Sequence, residues 1–265
     1  MDYVNAVLLA VVEGVTEFLP ISSTGHLILV EQWLTLGNDP EFTKTFLVAI
    51  QLPAILSVIV YFWGRLWPFQ AGFKLDPGKV LLWSKVVAAF FPAAVLGFLF
   101  DDFIDAHLFN PFTVMVALIV GGVVILAIER QTHAEHIASM AQLSFRTAVL
   151  IGLFQCLAMI PGTSRSASSI IGALLLGASR TVAAEFSFFL AIPTMVGATG
   201  LKLLKNGIGF SAHQWALLAV GSVVSFVVAY AVIAFFMQFI RNRTFTIFGW
   251  YRIALGILIL LLSFA

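Results

Sequence analysis

The chain has 265 residues, of which 61% are hydrophobic and only 10% are charged, and its formal net charge is +1. Soluble domains carry about 25% charged residues, so this composition excludes an ordinary soluble protein and is typical of a polytopic membrane protein. The near-neutral charge gives no sign of a nucleic-acid partner. The single cysteine, Cys156, excludes a disulfide framework and a cysteine metal cage.

The first residues, MDYVNAVLLA, lack the basic segment that begins a signal peptide, so we expect this apolar stretch to be retained. Further along, six apolar stretches are long enough to cross a hydrocarbon core, which takes about 20 helical residues. The six predicted crossings are residues 43–63, 81–100, 111–129, 182–201, 215–238 and 245–264.

Two other regions contain pairs of shorter apolar stretches. Residues 4–19 and 21–36 are separated by Pro20 and serines, and residues 147–160 and 164–178 are separated by PGTS. We predict two re-entrant hairpins, because non-helical backbone at membrane depth survives only where it is buried in protein or lines a wet cavity. A single kinked crossing over the first region is the alternative. The predicted hairpins span about residues 4–36 and 147–178.

The two hairpins resemble two copies of one unit. Pro20 precedes Pro53 by 33 residues, and Pro161 precedes Pro193 by 32. Each hairpin is followed by three crossings, and an odd number makes the second copy enter from the opposite face. We therefore predict one all-α membrane domain built as an inverted repeat, with the ligand site between the copies. The two halves are residues 1–129 and 145–265.

Lysine and arginine in short loops set the orientation. Ten basic residues fall on one side of this arrangement and three on the other, which places the first group in the cytoplasm and opens the first hairpin to the outer face. The ten are Arg65, Lys74, Lys79, Lys85, Arg130, Arg146, Arg180, Arg241, Arg243 and Arg252, and the three are Lys44, Lys202 and Lys205.

Two glutamates precede the first proline. Glu13 and Glu17 are four residues apart, so they share one face of a helix. Carboxylates so close repel each other unless a cation or a shared proton lies between them. Magnesium and calcium prefer oxygen ligands, and magnesium commonly bridges carboxylates to substrate phosphates. The pair predicts a divalent-cation site, with a wet membrane boundary as the alternative setting.

The segment ISSTGH follows that proline. Ser22 or Ser23 is the natural N-cap of a helix that restarts there, and a helix N-terminus is an anion site that suits phosphate. Thr24 adds a hydroxyl, and Gly25 allows close backbone approach. His26 lies one turn after Ser23, where it is able to activate a hydroxyl or protonate a leaving group. A histidine satisfied within the core is the alternative.

The second hairpin supplies a positive charge, Arg165, whose planar fork suits phosphate. An ion pair of Arg165 with Glu17 or Glu13 is the alternative. If the hairpin tips meet, two helix N-termini, one arginine and a carboxylate-bound cation surround a space for a phosphoryl or diphosphoryl group. The residues predicted to bind substrate there are Ser22, Thr24, Gly25, Gln51, Ser164, Ser166 and Ser169.

The segments EGVTEFLPISSTGH at 13–26 and PGTSRSASS at 161–169 resemble the two signatures of the bacterial undecaprenyl-diphosphate phosphatases of the bacitracin-resistance type. The resemblance extends along essentially the whole chain. It implies a cytoplasmic-membrane enzyme that removes the terminal phosphate of undecaprenyl diphosphate, which recycles the carrier lipid for cell-wall synthesis. One departure is Ser169, where the family usually has threonine.

Carried over by motif, the resemblance implies a role for each polar residue. Glu13 and Glu17 act with the divalent cation, magnesium or calcium, Ser23 is the nucleophile and His26 is an acid or base. Arg165 and Ser164 bind phosphate. Direct attack by water and the oligomeric state, including a homodimer, stay open.

Two competing functions use the same residues differently. Inverted repeats with broken helices are also a transporter architecture, so a lipid-phosphate transporter or flippase is the rival class. STGH echoes the P-S-G-H element of type-2 phosphatidic-acid phosphatases, but the chain lacks the accompanying K-x6-R-P and S-R-x5-H-x3-D segments. We therefore reject that second family.

Overall fold

The computed structural model describes residues 1–263 except residues 32, 38, 71, 132–134 and 207–208. Across these residues the chain forms twelve α-helices and one short 3-10 helix. The helices are α1 (Asp2–Thr16), α2 (Ser23–Val30), α3 (Pro40–Ala49), α4 (Gln51–Tyr61), α5 (Trp63–Leu66), α6 (Pro77–His107), α7 (Pro111–Arg130), α8 (Phe145–Gln155), the 3-10 helix (Cys156–Met159), α9 (Arg165–Leu175), α10 (Arg180–Asn206), α11 (Ala212–Ile240) and α12 (Thr246–Ser263).

Six helical segments among the described residues are long and apolar enough to cross a membrane. They confirm the all-α fold and the six predicted crossings, with small shifts at the ends. The segments are Pro40–Tyr61, Pro77–Phe100, Pro111–Arg130, Arg180–Leu204, Ala212–Ile240 and Thr246–Ser263.

Three of these segments begin with the same local chemistry. A side-chain oxygen caps the helix, and a proline occupies the first helical position in Asp39–Pro40, Asp76–Pro77 and Asn110–Pro111. Aspartate and asparagine satisfy free backbone N–H groups at a helix start, and proline has no N–H to leave unsatisfied there. In these three crossings the local sequence therefore determines where the helix begins.

The first crossing consists of two helices rather than one. α3 ends at Ala49, and α4 begins at Gln51. Pro53 lacks the N–H that a continuous helix would donate to the carbonyl of Ala49. At this interruption, the carbonyl of Ile50 accepts a 2.9 Å hydrogen bond from the hydroxyl of Ser225 on α11.

Both short helix pairs fold back on themselves. In the first pair, the side chain of Asn5 at the start of α1 donates a 2.8 Å hydrogen bond to the carbonyl of Thr35, which follows α2. In the second, the backbone N–H of Ile137 before α8 donates a 3.0 Å bond to the carbonyl of Gly177 after α9. The predicted chain reversals are present, and their depth in the bilayer stays a prediction.

The first helix of each hairpin packs on a crossing of the other half. α1 packs on α11 and α8 packs on α6, while α7 packs along α12. In an inverted repeat α1 corresponds to α8, and α6 corresponds to α11. These contacts support the inverted repeat, which we retain as a proposal.

Two of the ten basic residues assigned to the cytoplasmic side are buried inside crossing helices. Lys85 lies within α6 and Arg252 within α12, and both are buried. Their assignment as loop charges is therefore wrong. Eight basic residues then remain on the cytoplasmic side and three on the outer side, so the bias keeps its direction.

Candidate active site

The two helix breaks that the sequence predicts to meet lie against each other. We define the first break as residues 17–22, between α1 and α2, and the second break as residues 160–164, before α9. The hydroxyl of Ser166 in α9 donates a 2.8 Å hydrogen bond to the carbonyl of Leu19 in the first break. The polar residues of both breaks therefore belong to one site.

The helices that leave the breaks start in the same way. Ser22 caps α2 and Ser164 caps α9, and each side chain accepts a 3.3 Å hydrogen bond from the backbone N–H three residues later. Both serines have a φ of 72°, which residues other than glycine rarely adopt and which is concentrated at functional sites. Of the two caps predicted for α2, the structure uses Ser22. Ser23 and Arg165 thereby become the first residues of their helices.

Glu17 joins the two helix starts. Its Oε2 accepts a 2.8 Å hydrogen bond from the hydroxyl of Ser23, and its Oε1 accepts a 3.1 Å bond from Nη2 of Arg165. Arg165 also donates Nη1 to the carbonyl of Ser187 at 3.2 Å and lies over the ring of Phe18. The alternative predicted for Arg165, an ion pair with Glu17, is thus present. Glu17 therefore holds the guanidinium of Arg165 and the hydroxyl of Ser23 next to each other.

Glu13 lies one helical turn before Glu17 and is fully buried. The side chains of Glu17 and Gln51 lie beside it, but neither of its carboxylate oxygens has a hydrogen bond of good geometry among the described residues. A buried carboxylate without a partner is costly unless a cation or a proton neutralises it. The pair of carboxylates therefore fits a bound cation. The described part of the chain contains no group of three histidine, cysteine or acidic side chains that could hold a metal ion.

His26 makes different contacts from those that the sequence predicts. Its Nδ1 lies 2.7 Å from the carbonyl of Ser22, and its Nε2 lies 2.6 Å from the hydroxyl of Tyr251 on α12. Because a carbonyl only accepts, Nδ1 carries a proton, and Nε2 of a neutral ring accepts from the tyrosine. In this structure the carboxylate of Glu17, rather than His26, contacts Ser23.

The serines of the second hairpin are engaged within the protein. Ser166 and Ser169 are fully buried, and the hydroxyl of Ser169 donates to the carbonyl of Arg165 or approaches the hydroxyl of Ser187 at 2.7 Å. Their predicted contact with substrate stays untested, and this geometry favours a role in holding α9 in place. Ser164, the cap of that helix, is partly buried, and its hydroxyl lies 3.0 Å from that of Ser166.

Gly25 and Thr24 complete the first helix start. Gly25 is buried, and a Cβ atom there would come within 3.0 Å of the side chain of Leu118. α2 therefore packs closely on α7 at this position, and a larger residue would push the side chain of Leu118 aside by a few tenths of an ångström. Thr24 is partly exposed, and its predicted phosphate contact stays a prediction.

A cavity of about 480 Å³ extends from the site along α6 and α10. Its polar end is formed by Glu17, Gln51, Gln155 and Arg165, so the amide of Gln51 lies at the site as predicted. Thr194 and Lys202 also line the cavity, and the remaining lining residues are small or apolar. These include Ala93, Ala94, Gly97, Phe98, Met195, Gly197, Ala198 and Leu201.

Three further polar residues of the site are missing from the sequence prediction. Gln155 is buried, and its amide nitrogen donates a 3.1 Å hydrogen bond to the hydroxyl of Thr194. Tyr251 contacts His26, and Arg252 contacts both breaks. A charge inside an apolar crossing is itself a functional signal, so the sequence marks Arg252 as a functional candidate without placing it at this site. Tyr251 carried no such signal, because tyrosine is common in membrane helices.

Fold and site together define a multi-pass α-helical membrane protein with a polar centre between two broken helices. The chain belongs to the bacitracin resistance protein BacA family, whose model matches residues 6–258. A protein of Clostridioides difficile named undecaprenyl-diphosphatase 1 is 51% identical over 98% of this chain and 96% of its own length. Proteins named undecaprenyl-diphosphatase are 53% identical in Fusobacterium nucleatum, over 97% of this chain and 99% of theirs, and 46% identical in Enterococcus faecalis, over 99% and 98%.

The contact between Tyr251 and His26 predicts a modest effect on turnover. We expect Tyr251→Phe to lower kcat for phosphate release from undecaprenyl diphosphate by about 3- to 10-fold, because one neutral hydrogen bond is worth about 1 kcal/mol. Tyr230→Phe on α11 is the matched control, since that tyrosine is also partly exposed but lies away from the breaks. Identical kcat values for both variants and the wild type would contradict a role for the Tyr251 hydroxyl.

Proposed function

We propose that this protein hydrolyses undecaprenyl diphosphate to undecaprenyl phosphate and phosphate in the bacterial cytoplasmic membrane. The observation that carries this proposal is that Ser23 and Arg165 both donate to Glu17, and that Glu17 and Arg165 line the polar end of the cavity. The names of the relatives agree with this substrate. The same activity would confer resistance to bacitracin, the property that the family description carries.

The cavity provides separate surroundings for the two parts of such a lipid. The guanidinium of Arg165, the first residue of α9, lies at the polar end of the cavity and suits a diphosphate, because a planar cation binds phosphate oxygens in pairs. The apolar lining of α6 and α10 suits the first isoprene units. Phe98 at the far end is largely exposed, so the remaining chain is able to continue into the bilayer.

The contacts of Ser23 support a nucleophilic role. Its hydroxyl oxygen would attack the terminal phosphorus while its proton passes to Glu17. The attack forms the bond to phosphorus and breaks the bond between that phosphorus and the undecaprenyl phosphate leaving group. Water would then cleave the phosphoserine and release phosphate. In the alternative, water attacks directly and Ser23 only orients the phosphate. A trapped phosphoserine supports the first route, whereas full single-turnover activity of Ser23→Ala excludes it.

A divalent cation, magnesium or calcium, would be held by Glu13 and Glu17. When bound, it neutralises charge on the phosphate oxygens. We expect a chelator to abolish phosphate release and added magnesium or calcium to restore it. Glu13→Gln should raise the metal concentration for half-maximal activity by at least about 10-fold, as even outer-shell partners of a metal contribute that much.

The matched control for Glu13→Gln is Glu41→Gln, an exposed glutamate that pairs with Lys44. Binding of calcium to the purified proteins, measured by calorimetry, gives a readout independent of turnover. Full activity in chelator, or equal calcium affinity of wild type and Glu13→Gln, contradicts the cation proposal.

We also propose that the site opens to the outer face of the membrane. The cavity runs toward the C-terminal ends of the α6 and α10 crossings, near Phe98 and Leu201. The bias of basic residues places the N-terminal ends of those crossings in the cytoplasm. Their C-terminal ends, and with them the cavity mouth, then face outward.

A lipid-phosphate transporter or flippase is the second candidate, and the observation that favours it is the pair of broken helices. Vesicles containing purified protein and undecaprenyl diphosphate separate the two functions. Hydrolysis predicts phosphate release from the accessible leaflet that Arg165→Ala abolishes. Lipid movement between leaflets without phosphate release would instead identify a transporter.

A further inference from the structure

The guanidinium of Arg252 is an unusual feature of α12. The residue is fully buried inside a helix that is long and apolar enough to cross the membrane. No carboxylate among the described residues forms an ion pair with it. A charge in such surroundings is expensive, and charges of this kind usually mark function.

Backbone carbonyls from three separate elements surround this guanidinium. Nη1 donates to the carbonyl of Pro20 in the first break at 3.4 Å. Nη2 donates to the carbonyl of Gly162 in the second break at 3.0 Å and to that of Ala117 in α7 at 3.1 Å. The planar guanidinium of Arg252 therefore connects both breaks to α7.

The space for this side chain is built into α7. A Cβ atom on Gly121 would collide with the guanidinium of Arg252, and one on Gly122 would lie 2.6 Å from the carbonyl of Gly249 in α12. Gly162 has a φ of +91°, and a Cβ atom there would lie 2.6 Å from the carbonyl of Val114. Three glycines thus allow the contact between α7, α12 and the second break.

We propose that Arg252 is a positioning residue that sets the distance between Ser23 and Arg165. These residues begin the helices that follow the two breaks, and each lies three positions after a carbonyl that Arg252 holds. The first break is also joined directly to α9, by the hydrogen bond from Ser166 to Leu19 and by the ion pair of Arg165 with Glu17. The contacts of Arg252 add a connection through the backbone of both breaks. This inference rests on the proposed hydrolysis of undecaprenyl diphosphate.

Steady-state phosphate release by purified, full-length variants tests the proposal. We expect Arg252→Met to lower kcat by about 100-fold with little change in KM, since small displacements of reacting groups cost about that much. Arg252→Lys keeps a donor and should recover at least about 10-fold of that loss. Gly121→Ala, which displaces the guanidinium without removing it, should lower kcat in the same direction.

Gly200→Ala on α10 is the matched control for the glycine substitution, because no atom lies within 4 Å of the added Cβ there. The melting temperature of each variant is measured alongside. A purely structural role predicts lower melting temperatures with the wild-type kcat per folded molecule, and that result would overturn the proposal. Recovery of kcat by Arg252→Lys without recovery of melting temperature supports it.

A double-mutant cycle with Arg165 gives an independent readout. If Arg252 acts by placing Arg165, then Arg165→Ala combined with Arg252→Met should have nearly the kcat of Arg165→Ala alone. Fully multiplicative losses would overturn the inference. A wild-type protein that releases no phosphate would instead refute the proposed function, so the two failures are distinguishable.

Discussion

Arg165→Ala is expected to lower kcat for phosphate release from undecaprenyl diphosphate by at least about 1000-fold, the contribution that an arginine makes in other phosphoryl-transfer sites. The substitution removes the positive charge that faces the phosphate. It also leaves Glu17 buried without its 3.1 Å partner. Arg165→Lys should fall between alanine and wild type, because an ammonium keeps the charge but not the fork.

Arg243→Ala is the matched control for this substitution, since Arg243 lies exposed in the turn before α12. Each variant is purified in detergent and checked for a single folded peak by size exclusion before phosphate release is measured. If the kcat of Arg165→Ala stays within about 10-fold of wild type, Arg165 contributes less than an arginine that faces the transferred phosphoryl group. That result would contradict its proposed role.

Glu17→Gln is the second substitution with a large expected effect. Glutamine keeps the shape of the side chain but cannot take the proton of Ser23, and general bases contribute about 100- to 10000-fold. Its amide group also presents a donor to either Ser23 or Arg165, which are donors themselves. We expect kcat to fall by at least about 100-fold.

Glu17→Gln is compared with Glu41→Gln under saturating metal, so that weaker cation binding does not account for the loss. If Glu17 acts through Ser23, adding Ser23→Ala to Glu17→Gln should lower kcat little further. Independent, multiplicative losses would contradict the assignment of Glu17 as the base for Ser23.

Hydropathy and turn residues were sufficient to predict most of the fold. The six crossings follow from length, and the interruptions at Pro20 and at PGTS follow from residues that cannot continue a helix between two short apolar stretches. The interruption at Ile50 was not predicted. Pro53 marks it, but the matching Pro193 lies within a continuous α10, so proline alone does not decide whether a helix breaks.

The site was predictable where polar residues cluster in sequence and not where single residues come from distant helices. Glu17, Ser23 and Arg165 stand in dense polar segments, and the structure brings them into contact. Tyr251 and Arg252 reach the same place from α12, more than 200 residues after the first break. Which face of an apolar helix packs on a distant segment depends on tertiary contacts, and hydropathy carries no information about that face.

The central claim is that the two breaks form one hydrolytic site. Single-turnover phosphate release from undecaprenyl diphosphate, measured for wild type, Ser23→Ala, Arg165→Ala and the double variant, tests it most directly. We predict rapid release by the wild type, a large loss in each single variant, and a double variant hardly slower than the slower single one. Absence of release by the folded wild type, or losses that multiply as for independent sites, would contradict the claim.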